Sequence, residues 1–431
     1  MICDNINVNT GGNLTFAGTD TTELASKYGT PLYLMDEDKI RANCRTYVNA
    51  MKKAFGSNSQ VLYASKAASF TRMYEIVKEE NMGIDVVSSG EIYTAIKAGF
   101  DIKNAYFHSN NKTDSDIAFA IKNGIGYFVV DNEEELYVID CEAKKAGIVQ
   151  NILLRITPGI DTHTYEAVNT GKVDSKFGTA IATGQAEEIV KLALSFENIC
   201  LSGFHCHIGS QVFDSDTFLR GSDIMLDFIA DMKEKFGYTA TQLDLGGGYG
   251  VRYVESDPTI DIEENIMQVA ENVKKKCASL GLDMPKILME PGRSIVADAG
   301  MTLYTVGMVK TITGYKNYVS VDGGMTDNPR YALYGSEYTA YIANKMNEKA
   351  DFLCSLVGRC CESGDIIQEN ITLPKPVRGD IAAVCTTGAY NYSMASNYNR
   401  IPRPPVVMLS GGKDYVAVKR ETLDDIVQND V

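Results

Sequence analysis

No stretch of this sequence approaches the roughly 18 consecutive apolar residues that a membrane-spanning helix needs. Its start, MICDNINVNT, lacks the basic residues and apolar run of a secretory leader. Both absences predict a cytoplasmic protein. Positive charge is also in short supply. Lys and Arg total 41 against 56 Asp and Glu, a net of −15, which argues against a role on nucleic acid or anionic membrane and leaves small molecules as the expected partners. There is no CxxC pair to suggest zinc. The ten cysteines have no regular spacing and include the adjacent pair Cys360 and Cys361, a pattern of reduced thiols rather than of a disulfide framework.

What is present is rhythm. At 431 residues the chain exceeds one ordinary domain, so a large barrel or two domains are expected. Short apolar runs begin at VLYAS from 61, GIDVVS from 83, AYFHS from 105 and YFVVD from 127, a spacing of 22 residues. Between them lie the amphipathic segments RMYEIVKEEN, GEIYTAIKAG and SDIAFAIKNG, each with glycine or asparagine near its end. The repeat continues with ILLRI, LSGFHCHI, QLDLGG and KILME. Eight such units predict an α/β fold, a (β/α)8 TIM-type barrel over residues 36–294. From 295 to 431 the segments LYTVGMVKTI, NYVSVDGG, PVVMLS and DYVAVKR read as strands with turns between them. An all-β domain is expected there, completed by residues 1–35, where LTFAG and PLYLMD are strand-like.

In such barrels chemistry collects at the C-terminal ends of the strands. Lys66, His108, His205 with His207, Gly246 to Gly248 and Glu290 all stand at predicted strand ends. Lys66 could be a salt-bridged surface lysine, but Ala64, Ser65, Ala67 and Ala68 leave room around it for a bulky cofactor, as a Schiff-base lysine requires. DLGGGYG reads as a tight turn or as backbone brought close to a phosphate. EPGR reads as a salt-bridged loop, or as Glu290 on a pyridine nitrogen with Arg293 on a phosphate or substrate carboxylate.

In a strand, His205 and His207 face the same way, as in metal-dependent hydrolases. The two other histidines, His108 and His163, form no second pair. No metal is therefore expected, and a single imidazole stacked on an aromatic cofactor suits the site better. RCCESGD at 359–365 is either a buried cysteine pair before a turn or a thiol proton donor beside a carboxylate, Glu362, that reads a substrate amine. Tyr390, in TGAYNYSMASNYN, is either part of a tyrosine-rich loop or a contact to the cofactor face.

Taken in order, YASKA, HSNNK, DSKFG, HCHIGSQ, DLGGGYG, EPGR, DNPRYALYG, CESGD and GAYNYSMASNYN resemble the diaminopimelate decarboxylases, pyridoxal-phosphate enzymes of the alanine racemase-like fold. The resemblance runs from near residue 30 to near 420. It implies pyridoxal 5'-phosphate as cofactor and decarboxylation of meso-2,6-diaminopimelate to L-lysine, the last step of lysine biosynthesis. It also implies a homodimer with shared active sites.

By this resemblance Lys66 carries the cofactor, His207 stacks on its ring, and Glu290 meets its pyridine nitrogen. Ser210, Gly248, Gly292 and Arg293 serve its phosphate. Arg293, Arg330 and Tyr334 hold the substrate. From the partner subunit, Cys361 delivers a proton, Glu362 reads the distal end and Tyr390 touches cofactor and substrate. Three positions depart from the usual pattern: Ser109 and Ser89 stand where glycine is common, and Thr157 where asparagine is. An ornithine, lysine or arginine decarboxylase of the same fold is the nearest alternative, and Arg330 and Tyr334 argue against it because those substrates lack a distal carboxylate. A non-catalytic cofactor-binding or inhibitor-like relative is the alternative of another class. Lys66, His207, Glu290 and Cys361 weigh against that one.

Overall fold

Several helices of the repeat start with a side chain that satisfies an orphan backbone donor, whereas Thr71–Glu79 and Gln185–Ala193 have no side-chain cap. Ser88 accepts from the Glu91 amide ahead of Ser89–Lys97, and Asn132 from the Glu135 amide ahead of Glu133–Ala146. Thr113 and Asp116 form a reciprocal capping box at Asp114–Lys122. Gly147, Gly237 and Gly281 end three of the longer helices in the left-handed conformation. These stops and starts set the beat that is visible in the sequence.

The structure is a computed structural model that describes residues 1–160 and 175–431. His163 and the first residue of the DSKFG motif, Asp174, lie outside the described residues. The chain folds as two units. Cys44–Gly250 with Thr259–Gly292 forms one of them. Its eight parallel strands are Ser59–Ala64, Gly83–Val86, Ala105–Phe107, Tyr127–Val130, Gln150–Thr157, Ile199–His205, Gln242–Asp244 and Lys286–Met289. Each pairs with the next, and Lys286–Met289 pairs with Ser59–Ala64, so the sheet closes into a barrel. All eight predicted strands are present. A two-residue strand, Thr179–Ala180, pairs in parallel with the last two residues of the fifth, Ile156 and Thr157. Leu62, Tyr106, Val129, Leu153 and Leu288 form one buried cluster within the barrel, and Tyr106 stacks on Tyr127 at 4.4 Å. The buried Tyr106 hydroxyl donates to the Gln242 side chain at 2.9 Å, which spares a phenol that burial would otherwise leave unsatisfied.

The second unit comprises Met1–Asn43, Val251–Pro258 and Arg293–Val431. Its sheet is mixed. Leu32–Asp36, the PLYLMD strand, lies between Gly300–Ile312, to which it is antiparallel, and Val406–Ser410, to which it is parallel. All five of its residues are buried, as a central strand covered on both faces requires. The LTFAG strand behaves differently. Leu14–Phe16 pairs with Ile6–Val8 and Thr19–Asp20 in a separate three-stranded sheet, and does not join the C-terminal sheet as expected. Further strands of the unit are Lys316–Val321, Ala340–Ile342, Phe352–Val357, Ile366–Leu373, Ile381–Cys385 and Lys413–Val418.

Candidate active site

The sixth barrel strand ends at His205, and this changes the reading of HCHIGS. His205 and His207 do not share a strand face. The His205 ring lies inside the barrel, with Nε2 hydrogen-bonded to Glu290 Oε2 at 3.2 Å. His207 lies beyond the strand, and its Nδ1 accepts from the Gly247 amide at 3.3 Å. That bond places the His207 proton on Nε2. The imidazole is held well below its usual pKa by desolvation, with the positive charges of Lys66 and Arg155 adding to the effect. His207 is therefore a neutral, flat ring.

Glu290, buried at the end of the eighth strand, is the centre of the barrel cluster. His108 Nε2 stands 2.7 Å from its Oε1, and the same nitrogen is 3.8 Å from Asp85. The rings of His108 and His205 meet edge to face at 4.9 Å. Desolvation alone would raise the Glu290 pKa, but His108 and His205 outweigh it and hold the carboxyl well below the ordinary range. Asp244 and Asp85 move the other way. Burial raises both, and the Glu290 charge adds to the rise. The result is a single committed carboxylate among groups that stay neutral more readily.

Donor atoms of His108, His205 and Glu290 lie within 4.8 Å of one another. The 2.7 Å contact is closer than the roughly 3.3 Å between two ligands held at about 2.0 Å around a tetrahedral ion. These residues form an ionic cluster, and no metal is assigned to them.

Around this cluster the backbone is tightly packed. The Gly246 amide bonds Asp244 at 2.8 Å, and the Gly246 carbonyl accepts from the Glu290 amide at 2.8 Å. A Cβ on Gly247 would stand 2.2 Å from the Glu290 carbonyl oxygen, and one on Gly248, whose φ is +119°, 2.4 Å from that of Gly209. The loop that holds Gly209 and half-buried Ser210 is joined to Gly248 through the Val212 amide at 2.9 Å. At the other side, a Cβ on Gly292 would meet Ala64 and Ala67 at 2.9 and 3.2 Å. Gly292 thus packs on the turn that carries Lys66. Ser65 and Ala67 of this turn are buried, whereas the Lys66 side chain is exposed.

The site therefore runs from an accessible amine through a side-chain-free turn to a buried carboxylate and a flat imidazole. It fits a pyridoxal cofactor. Among the described residues Glu290 Oε1, although close to His108, receives no directed hydrogen bond. It is an anionic acceptor open to a cationic ring N–H.

The second unit holds a separate cluster. Arg293 donates to the Tyr253 hydroxyl at 2.9 Å and stacks 4.8 Å from the Tyr390 ring. Arg330 stacks on Tyr390 at 5.0 Å and on Tyr334 at 5.2 Å. Both arginines are buried, whereas Tyr334 is 37% exposed. Tyr390 is half-buried and has φ +66°, a conformation a tyrosine adopts only under constraint. Cys361 and Glu362 are exposed, and the Cys361 amide donates to the Asn399 side chain at 2.8 Å.

The sequence alone gives no role to Asp85, Arg155 or Asp244, and none to His108 beyond its place at a strand end. Their signal was a charged residue inside an otherwise apolar strand, in GIDVV, LLRI and QLDLGG. Of the three departures, Ser109 has φ +137°, in the region that favours the glycine common there. The Thr157 hydroxyl donates to the Phe177 carbonyl at 2.8 Å, and Ser89 opens a helix.

Residues 38–297 match the family described as pyridoxal-dependent decarboxylase, pyridoxal binding domain. The chain is 45% identical over 423 residues to the diaminopimelate decarboxylase of Bacillus subtilis, covering 98% of this chain and 96% of the relative. It is 42% identical over 426 residues to that of Staphylococcus aureus, covering 99% of each. Among solved structures, diaminopimelate decarboxylase from M. jannaschii in complex with L-lysine superimposes with a TM-score of 0.92 at 33% identity, over 100% of this chain and 98% of the other.

Proposed function

Because the chain belongs to the family of pyridoxal-dependent diaminopimelate decarboxylases, we infer that it removes one carboxylate from meso-2,6-diaminopimelate and releases L-lysine and carbon dioxide. The observation that carries this reading is the run of Lys66, Gly292, Glu290, Gly247 and His207 across the barrel strand ends, in a chain this close to its relatives. Bound pyridoxal phosphate supplies a conjugated ring that, with its nitrogen protonated, takes up the electron pair left on carbon when carbon dioxide departs.

The protein's own groups do the rest. Lys66 anchors the cofactor. Glu290, held ionised, keeps a proton on the ring nitrogen. His207, neutral and oriented by Gly247, covers one ring face. Ser210, Gly248 and Gly292 hold the phosphate, where glycines let backbone approach closely.

Substrate recognition is assigned to Arg293, Arg330 and Tyr334. The buried Arg330 guanidinium has no carboxylate beside it among the described residues, which is costly to maintain, and a substrate carboxylate would relieve that cost. Ornithine, lysine and arginine lack a second carboxylate and would leave Arg330 unpaired. The active enzyme is proposed to be a homodimer, in which the partner subunit's Cys361 protonates the carbon that lost its carboxylate, the partner's Glu362 binds the distal ammonium and the partner's Tyr390 touches cofactor and substrate. Exposure of Cys361 and Glu362 in their own chain supports this. A cytoplasmic setting is proposed as well: the ten cysteines include no disulfide among the described residues, as suits a reducing compartment.

The test is carbon dioxide release from meso-diaminopimelate, ornithine, lysine and arginine by the cofactor-loaded protein. Release from diaminopimelate alone is the expected outcome. Faster release from ornithine would assign the chain to the other substrate class.

A further inference from the structure

Glu290 and His108 come from different strand ends and meet at 2.7 Å in a buried site. Two facing lone pairs would repel at that distance, so His108 Nε2 carries a proton. The same nitrogen also lies 3.8 Å from Asp85 Oδ1, so it is fixed between two carboxyls. His205 reaches the other oxygen of Glu290, at 3.2 Å.

We propose that His108 is a positioning residue: it holds the Glu290 carboxylate in place and ionised, and through Glu290 it sets the protonation of the cofactor's ring nitrogen. The second half of this statement rests on the reading of Glu290 given above.

The remaining groups around Glu290 make His108 necessary. Arg155 and His205 favour its charge, but burial pushes His205 down to about 4, so His205 contributes as a neutral donor. Asp85 and Asp244 oppose the charge. Tyr106 and Cys206 are pushed up by burial and His207 is pushed down, which leaves all three uncharged. His108 is the closest group acting on Glu290 Oε1.

The experiment uses full-length holoenzyme with glutamate labelled at the side-chain carboxyl with carbon-13. The Glu290 signal is assigned by its loss in Glu290→Gln. In His108→Ala the Glu290 titration midpoint is expected to rise by about 1–3 pH units, the usual effect of removing a favourable charged or donor neighbour. His108→Asn, which keeps an N–H donor, should restore part of the difference and controls for a folding defect. An unmoved midpoint in both variants overturns the proposal.

A second arm follows the nitrogen-15 signal of labelled pyridoxal phosphate bound to the same proteins. Glu290→Gln should shift the ring nitrogen toward its unprotonated value. If it does not, the assignment of Glu290 to that nitrogen falls, and with it the second half of the proposal. The carboxyl titration still decides whether His108 holds Glu290.

Discussion

The guanidinium of Arg330 lies 5.0 Å from the centre of the Tyr390 ring and has no carboxylate partner among the described residues. Among the described residues it makes a long hydrogen bond to Ser336, at 3.5 Å. The stack fixes the guanidinium plane and leaves its N–H fork available, the geometry that suits bidentate recognition of a carboxylate.

Replacing Arg330 by Ala should therefore cost about 2–3 kcal/mol, roughly 30- to 150-fold in kcat/KM for diaminopimelate. The distal carboxylate survives in the product, so inhibition by L-lysine should weaken in parallel. Inhibition by a five-carbon diamine, which has no carboxylate, should stay as it was. Equal losses for all three ligands would move Arg330 from substrate recognition to maintenance of the fold.

Subunit mixing tests the shared site. Lys66→Ala and Cys361→Ala should each be nearly inactive. After exchange, half of the dimers are mixed, and each mixed dimer has one site with both residues intact. About a quarter of wild-type activity should then return, as two-fold symmetry requires. No recovery, with mixed dimers verified by mass spectrometry, would mean that both residues act within one chain.

Ser109 occupies a backbone conformation that favours glycine, φ +137°, directly after His108. Ser109→Gly removes strain of the order of 1–3 kcal/mol, partly offset by the greater freedom of glycine in the unfolded chain. A net stabilisation of about 1 kcal/mol is expected, read as a higher midpoint in urea. A lower midpoint would show that the serine side chain supplies more than the strain removes.

Acid sensitivity should carry the mark of His205. Its folded pKa is pushed down to about 4, by desolvation above all, against about 6.5 in an unfolded chain. Between those values the unfolded state binds a proton that the folded state refuses, so stability is present above pH 6.5 and falls as pH drops toward 4. From pH 7 to pH 5 the loss from this residue is about 2 kcal/mol. His207, shifted in the same direction, adds to it. In His205→Asn the fall in unfolding free energy over that interval should be smaller by about 2 kcal/mol. An unchanged fall would place the His205 pKa near its ordinary value.

Much of this architecture is local and could be read directly. The eight apolar runs, the caps between them and the small residues around Lys66 depend on neighbours a few positions away, where periodicity and turn chemistry act. Other features depend on where the chain returns. That Leu32–Asp36 enters a sheet between Gly300–Ile312 and Val406–Ser410, while Leu14–Phe16 stays out of it, is decided by edges that exist only once the sheet has assembled.

The centre of the site is of this second kind. HCHIGS looks like a pair of histidines on one face, but the strand stops at His205, and His207 turns to the glycine loop. The partner of His205 is Glu290, and Glu290 also meets His108. Barrel closure places these strand ends side by side, and no local pattern records which of them will face one carboxylate. Chemistry-bearing residues were legible as types at strand ends, but their pairing and charge states follow from burial and distance, which only the tertiary structure supplies.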